Sequence, residues 1–101
     1  MAALAVKARE RHGCMASELL AMIVVQRASR SASSHVGTPR RALEIGLYVA
    51  SVEAGLGAKR VARGAGVTHR RLCRVLPRLE DQRDCADVDR VIRLCSEEAL
   101  A

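Results

Sequence analysis

The segment Lys59-Arg60-Val61-Ala62-Arg63-Gly64-Ala65-Gly66-Val67-Thr68-His69-Arg70-Arg71-Leu72-Cys73-Arg74-Val75 reads as two short helices meeting at a tight turn. Two helices crossing steeply need a small residue on the first where the second passes over it, and Ala62 supplies one. Four residues later the chain needs a left-handed turn, which Gly66 adopts without a Cβ clash. Val61, Val67, Leu72 and Val75 fall where the inner faces meet and seal the angle. Thr68 sits at the N-cap of the second helix, where its hydroxyl can accept from an orphan backbone N–H of the first turn. The spacing predicts helices over Ala58 to Ala65 and Thr68 to about Gln82.

With Leu72, Val75, Leu76 and Leu79 turned inward, His69, Arg70, Cys73, Arg74 and Pro77 face outward. A helix that starts with clustered cations and projects from a small basic domain matches the recognition helix of a helix-turn-helix lying in the major groove. Thr68, His69, Arg70 and Arg74 are the candidates for base contacts. Arg40, Arg41, Lys59, Arg60, Arg63, Arg71 and Arg78 are the candidates for phosphates, which set affinity and register. Pro77 lacks an N–H and clashes with the carbonyl four residues back, so the helix should kink or break near Leu76 and restart at Arg78.

Outward from this segment the chain stays helical in pattern. Met15 to Ala28 repeats apolar residues at helical spacing, with Leu19, Leu20, Met22, Ile23 and Val24 as its stripe. Ser29 to Pro39 is rich in Ser and Gly and reads as a linker or loop. Thr38 and Pro39 resemble an N-cap with Pro at the first helical position, opening a helix to about Ala54 on the stripe Leu43, Leu47 and Ala50, with Ile45 and Val49 beside it. Gly55 and Gly57 end it. A last helix spans Cys85 to Ala99, with Val88, Val91, Ile92 and Cys95 at helical spacing. No segment alternates with period two, so the expected fold is all-α, a four- to five-helix bundle containing a helix-turn-helix. Residues 1–37 form an N-terminal helix plus Ser-rich linker, and residues 38–101 the helix-turn-helix domain. The Met15–Val25 stripe either packs onto that domain or serves as a contact for a protein partner or a second copy.

Composition narrows the function classes. The chain has 101 residues, half of them apolar, yet no Phe or Trp and one Tyr, so its core must be built from Ala, Val, Leu, Ile and Met. The aromatic deficit excludes modules that stack bases on exposed rings. Net charge is +6 and uneven: +4 over Met1 to Arg40, +6 over Arg41 to Arg78, and −4 over Leu79 to Ala101. The middle third is therefore the basic working surface. Leu19 to Val25, the longest apolar stretch, is far short of the roughly 20 residues needed to span a bilayer, and the Lys7, Arg9 and Arg11 region lacks the apolar run of a signal peptide. A cytoplasmic, nucleoid-associated protein is expected. Cys14, Cys73, Cys85 and Cys95 have no zinc-type spacing and read as small packing residues, with Cys85 and Cys95 the one pair that helix geometry could bring face to face. Neither metal nor cofactor is expected. The run Asp81, Asp84, Asp87 and Asp89 lacks calcium-loop spacing and suits a helix start. No nucleophile with a positioned base and no phosphate-binding G-x-x-x-x-G-K-[ST] loop is present, so the chain is not expected to be an enzyme.

From Arg40 to about Asp89 the chain resembles the C-terminal DNA-binding domain of the bacterial replication initiator DnaA, and more closely the small stand-alone proteins that consist of little else. The resemblance rests on Ile45-Gly46-Leu47-Tyr48-Val49-Ala50, then Gly55-Leu56, then Val61-Ala62-Arg63 and Ala65-Gly66, without insertions. The tail Arg78-Leu79-Glu80-Asp81-Gln82-Arg83-Asp84 is similar to the Arg-Val-Glu-Asp-Arg-Arg-Asp ending of the small relatives. The family reads its DNA box through a signature close to Gly-Gly-Arg-Asp-His-Thr-Thr-Val, with a basic loop in the minor groove. Here Gly66 and His69 match the turn Gly and the His, while Val67, Thr68, Arg70 and Arg71 replace the Arg, Asp and both Thr. Ala65 stands in place of a Phe, and Arg74 in place of a later His. The resemblance implies the fold and duplex DNA as partner, in replication initiation control or transcriptional regulation. The altered signature means that the family's target sequence does not carry over with the fold. The alternative is a DnaA-like helical module that has given up DNA for a protein partner.

Overall fold

The structure, a computed structural model, describes the backbone of residues 13–101 and side chains from residue 18 onward. The cations Lys7, Arg9 and Arg11 and the side chains of Cys14 and Met15 lie outside the described residues. The fold is all-α. Helix α1 spans Gly13–Ala32, α2 Pro39–Tyr48, α3 Ala58–Ala65, α4 His69–Gln82 and α5 Ala86–Leu100. A π-helical turn, Val49–Glu53, extends α2, and Ala54 donates to the Val49 carbonyl five residues back at 2.9 Å. No helix among the described residues is long and apolar enough to cross a membrane.

Helix α1 is the centre of the bundle, packed on α2, α3 and α5, while α4 lies on α2 and α3. Its buried face is Ala21, Val24, Val25, Ala28 and Ala32, joined with Ile45, Leu47, Tyr48, Val61, Leu72, Leu79 and Ile92 in one core. The packing therefore does not divide the chain at residue 37. The expected stripe is corrected in part: Val24 is buried and Leu19 and Met22 are half-buried, but Leu20 and Ile23 face solvent, and Ala21, Val25, Ala28 and Ala32 complete the core face. Small residues win there because the helices approach closely. A Cβ on Gly46 of α2 would overlap Ser29 Oγ and lie 2.7 Å from the Val25 carbonyl oxygen. A Cβ on Gly64 of α3 would overlap the Glu18 carbonyl oxygen and lie 3.0 Å from the Met22 nitrogen.

The same closeness corrects the expected linker. Ser29 to Ala32 continue α1, and the connection to α2 shrinks to residues 33–38. Ser31 and Ala32 are buried and Ser29 sits at the Gly46 crossing, so tertiary contact overrides the modest helix propensity of serine. Ser33 then closes the helix end, its hydroxyl donating to the Arg30 carbonyl at 2.7 Å.

Helix α4 runs through Pro77 without the expected break or restart at Arg78. Pro77 and Cys73 both lie on the exposed face, so the carbonyl that loses its partner is on the solvent side, where water can replace the missing N–H. Of the three cysteines whose side chains are described, Cys95 is buried as expected of a packing residue, while Cys73 and Cys85 are exposed, which corrects that role for them; all three are free thiols, so Cys85 and Cys95 do not pair. Burial pushes the Cys95 thiol above its ordinary pKa.

A polar network ties the far end of α4 to the rest. Tyr48, fully buried, donates its hydroxyl to Glu80. Arg83 donates to Tyr48 Oη at 3.2 Å, to Glu53 at 2.6 Å and to Asp89 at 2.8 Å, with its guanidinium 5.7 Å from the Tyr48 ring centroid. Burial, reinforced by the Glu80 bond, holds the Tyr48 phenol above its usual pKa. The folded state thus keeps the proton that an unfolded tyrosine releases near pH 10, and stability falls as pH rises past that value. A Tyr48→Phe variant should lose about 1 kcal/mol at pH 7 and lose less than the parent between about pH 9 and 11, as read by urea unfolding at each pH. An unchanged alkaline dependence would remove Tyr48 as its source.

Candidate nucleic-acid interface

Local chemistry fixes both helix starts that carry the cations. Thr38 Oγ1 accepts from the Arg41 N–H at 3.1 Å with Pro39 in the first turn, which places Arg40 and Arg41 at the start of α2. Thr68 Oγ1 accepts from the Arg71 N–H at 3.1 Å, which places His69, Arg70 and Arg71 at the start of α4. Between α3 and α4, Gly66 is left-handed at φ 71°, its N–H donates to the Arg63 carbonyl at 3.3 Å, and the Val67 N–H donates to the Ala62 carbonyl at 3.0 Å. This is a Schellman closure, which sets the direction in which α4 leaves α3. Val61, Ala62, Leu72 and Val75 are buried beneath it and Val67 half-buried, so the seal read from the sequence is the one that forms.

The outer face of α4 then stands free. His69, Arg70, Cys73, Arg74 and Pro77 are all exposed. His69, Cys73 and Pro77 form one row at four-residue spacing, with Cys73 Sγ 3.5 Å from His69 Nε2, and Arg70, Arg74 and Arg78 form the row beside it. Clefts flank this ridge on two sides. One, about 320 Å³, is lined by Arg40, Glu44, Thr68, Arg70, Arg71, Arg74, Val75 and Arg78. The other, about 290 Å³, is lined by Lys59, Ala62, Arg63, Val67 and His69.

The structure thus gathers most of the candidate residues and leaves two at the margin. Arg60 is exposed on α3 outside both clefts, and Arg41 is half-buried outside them. Compared with protein-family models, curated proteins and solved structures, the chain matches none.

Those side chains differ in their freedom. Arg78 is ion-paired with Glu44, which is only 5% exposed, and Arg63 lies 3.5 Å from Glu18. Among the described residues, no carboxylate pairs with Arg40, Arg41, Lys59, Arg60, Arg70, Arg71 or Arg74. Helix α4 also has no acidic residue in its first turn, so its cations sit at the positive end of the helix dipole. That placement costs stability. Glu44 was not among the sequence candidates; its i+4 relation to Arg40 was the available signal, but its partner proved to be Arg78. The His69 and Cys73 contact follows the same spacing rule.

Proposed function

We propose that this chain is a small duplex-DNA-binding protein that uses α3 and α4 as a helix-turn-helix, similar to the C-terminal domain of DnaA. It acts by occupancy, in replication initiation control or transcriptional regulation on the nucleoid. The observation that carries this reading is the α4 ridge, exposed along its outer face, with a basic cleft along its α2 side and a second beside α3 at its first residue, His69. An α-helix is about 10–12 Å across and the major groove about 12 Å wide, so an inserted ridge has a phosphate strand on either side of it. His69, Arg70 and Arg74 then meet base edges, with the Thr68 hydroxyl free to donate while it caps the helix. Arg40 and Arg71 reach one strand and Lys59, Arg60 and Arg63 the other. Arg41 is half-buried outside both clefts and Arg78 is held by Glu44, so neither is counted among these contacts.

The test is a salt titration against a DnaA-box duplex, a scrambled duplex and single-stranded DNA. Duplex binding should weaken with a log–log slope of about −4.5, as expected for about five neutralised phosphates, and should exceed single-strand binding. Preference for the box places the protein with the replication initiators, and equal duplex binding gives it another address. Failure to bind any duplex at about 50 mM salt sinks the proposal.

A second reading has its own observation. Leu20 and Ile23 on α1 are 49% and 39% exposed, an apolar pair on the segment Met15–Val25 that a protein partner or a second copy would cover. It gains if duplex binding fails and the chain sediments as a dimer.

A further inference from the structure

The cleft on the α2 side of the ridge is more than a strip of positive surface. Arg70, Arg74 and Arg78 recur every four residues along one edge of α4, and Arg40 lines the same cleft from the first turn of α2. They enclose about 320 Å³, the low end of the range for small-ligand clefts. The one carboxylate in the lining, Glu44, is buried and already paired with Arg78. Arg40, Arg70, Arg71 and Arg74 therefore share one concave space with no acidic partner among the described residues. Like charges at this helical spacing repel, and the dipole at the α4 start adds to the repulsion.

A duplex relieves this crowding incompletely. Each of its strands offers one charge per roughly 3.4 Å of axis, strung along an extended backbone, whereas a di- or triphosphate chain gathers several charges in one small volume. Guanidinium groups converging from two helices suit the second geometry, because each can donate a pair of N–H bonds to phosphoryl oxygens.

We infer that this cleft binds a free, compact polyphosphate, the chemistry shared by a nucleoside triphosphate and inorganic polyphosphate. The pocket stands on its own geometry. Its consequence, that a bound polyphosphate displaces the duplex from the same arginines, rests on the function proposed above.

The test is calorimetric titration of the full chain at about 50 mM salt with tripolyphosphate, ATP and adenosine. Tripolyphosphate or ATP should bind one-to-one, and adenosine should not bind. Equal affinity for the two means the phosphate chain alone is recognised, and a preference for either identifies the source. An Arg40→Gln, Arg70→Gln variant should bind at least about tenfold more weakly, the loss expected for two charge-assisted contacts. An Arg27→Gln, Arg90→Gln variant, with the same charge removed from other helices, should stay within about twofold, since screened surface charges act weakly at a distance. No saturable binding, or equal weakening in both variants, overturns the pocket. Displacement of a fluorescent duplex is read separately: one-to-one polyphosphate binding without any duplex binding keeps the pocket and removes the DNA function, while duplex binding unaffected by a tripolyphosphate concentration that saturates the calorimetric site keeps the pocket and overturns the displacement.

Discussion

Replacing Arg70 and Arg74 together with alanine should lower duplex affinity by about 30-fold or more at low salt, with the fold intact. Each side chain is exposed and free of any ion pair among the described residues, so neither is needed for packing. Removing two like charges four residues apart should even stabilise α4 by a few tenths of a kcal/mol, at about 0.2–0.5 kcal/mol per pair. The loss on DNA is larger because a good arginine contact to a base edge is worth about 1–3 kcal/mol, and two of them about 30-fold or more even at the lower bound. If one of the two reads a base and the other meets a phosphate, the salt slope should also fall by about 1. Fluorescence anisotropy with a labelled duplex at several salt concentrations measures both quantities, and urea unfolding shows that the variant is folded. Arg78 is unsuited to the same comparison, because its removal strands Glu44 as a buried, unpaired carboxylate. A double variant that binds duplex as tightly as the parent would show that α4 does not carry the interaction.

How much of this was legible in the sequence depends on the range of the forces involved. The turn at Gly66, the caps at Thr38 and Thr68 and the bounds of α3 follow from neighbours within five residues, and the structure has them where the local pattern puts them. The outward face of α4 was legible for the same reason, since a strong apolar stripe at Leu72, Val75 and Leu79 fixes what remains outside. The inner face of α1 was legible only in part. Val24 was read as core and is, but the helix crosses α2 and α3 so closely that Ala21, Ala28 and Ala32 share that face, and Leu20 and Ile23 turn outward. Ser29 to Ala32 misled for the related reason that small residues suit a tight crossing as well as a loop. The pairs Arg78 with Glu44 and Tyr48 with Glu80 span 34 and 32 residues, and no local pattern in a single sequence announces them. They matter to the site, because together with Arg83 they hold the C-terminal half of α4, at the Arg78 end of the arginine row, against α2.

Gly64→Ala provides the sharpest test of that close packing. In an ordinary exposed helix, replacing Gly by Ala stabilises by about 1 kcal/mol. Here the new methyl meets backbone of α1, the Glu18 carbonyl and the Met22 nitrogen, neither of which can rotate away. The helices must separate, and overpacking of this kind costs about 1–3 kcal/mol, so the expected result is a net loss of stability where propensity alone gives a gain. Gly46→Ala should also destabilise, but its first obstacle is the Ser29 hydroxyl, with the Val25 carbonyl behind it. Adding Ser29→Ala should therefore recover part of the loss in the Gly46→Ala background and none of it in the Gly64→Ala background. Urea midpoints of the four variants decide the matter, and a stabilised Gly64→Ala protein would mean that α1 and α3 do not cross at this point. The consequence reaches the interface, since Gly64 lies on the helix that orients α4. Pushing α3 off α1 moves Lys59 and Arg63 relative to α1 while leaving every cation in the sequence, so a drop in duplex affinity for Gly64→Ala would show that the bundle sets the geometry of binding as well as its charge.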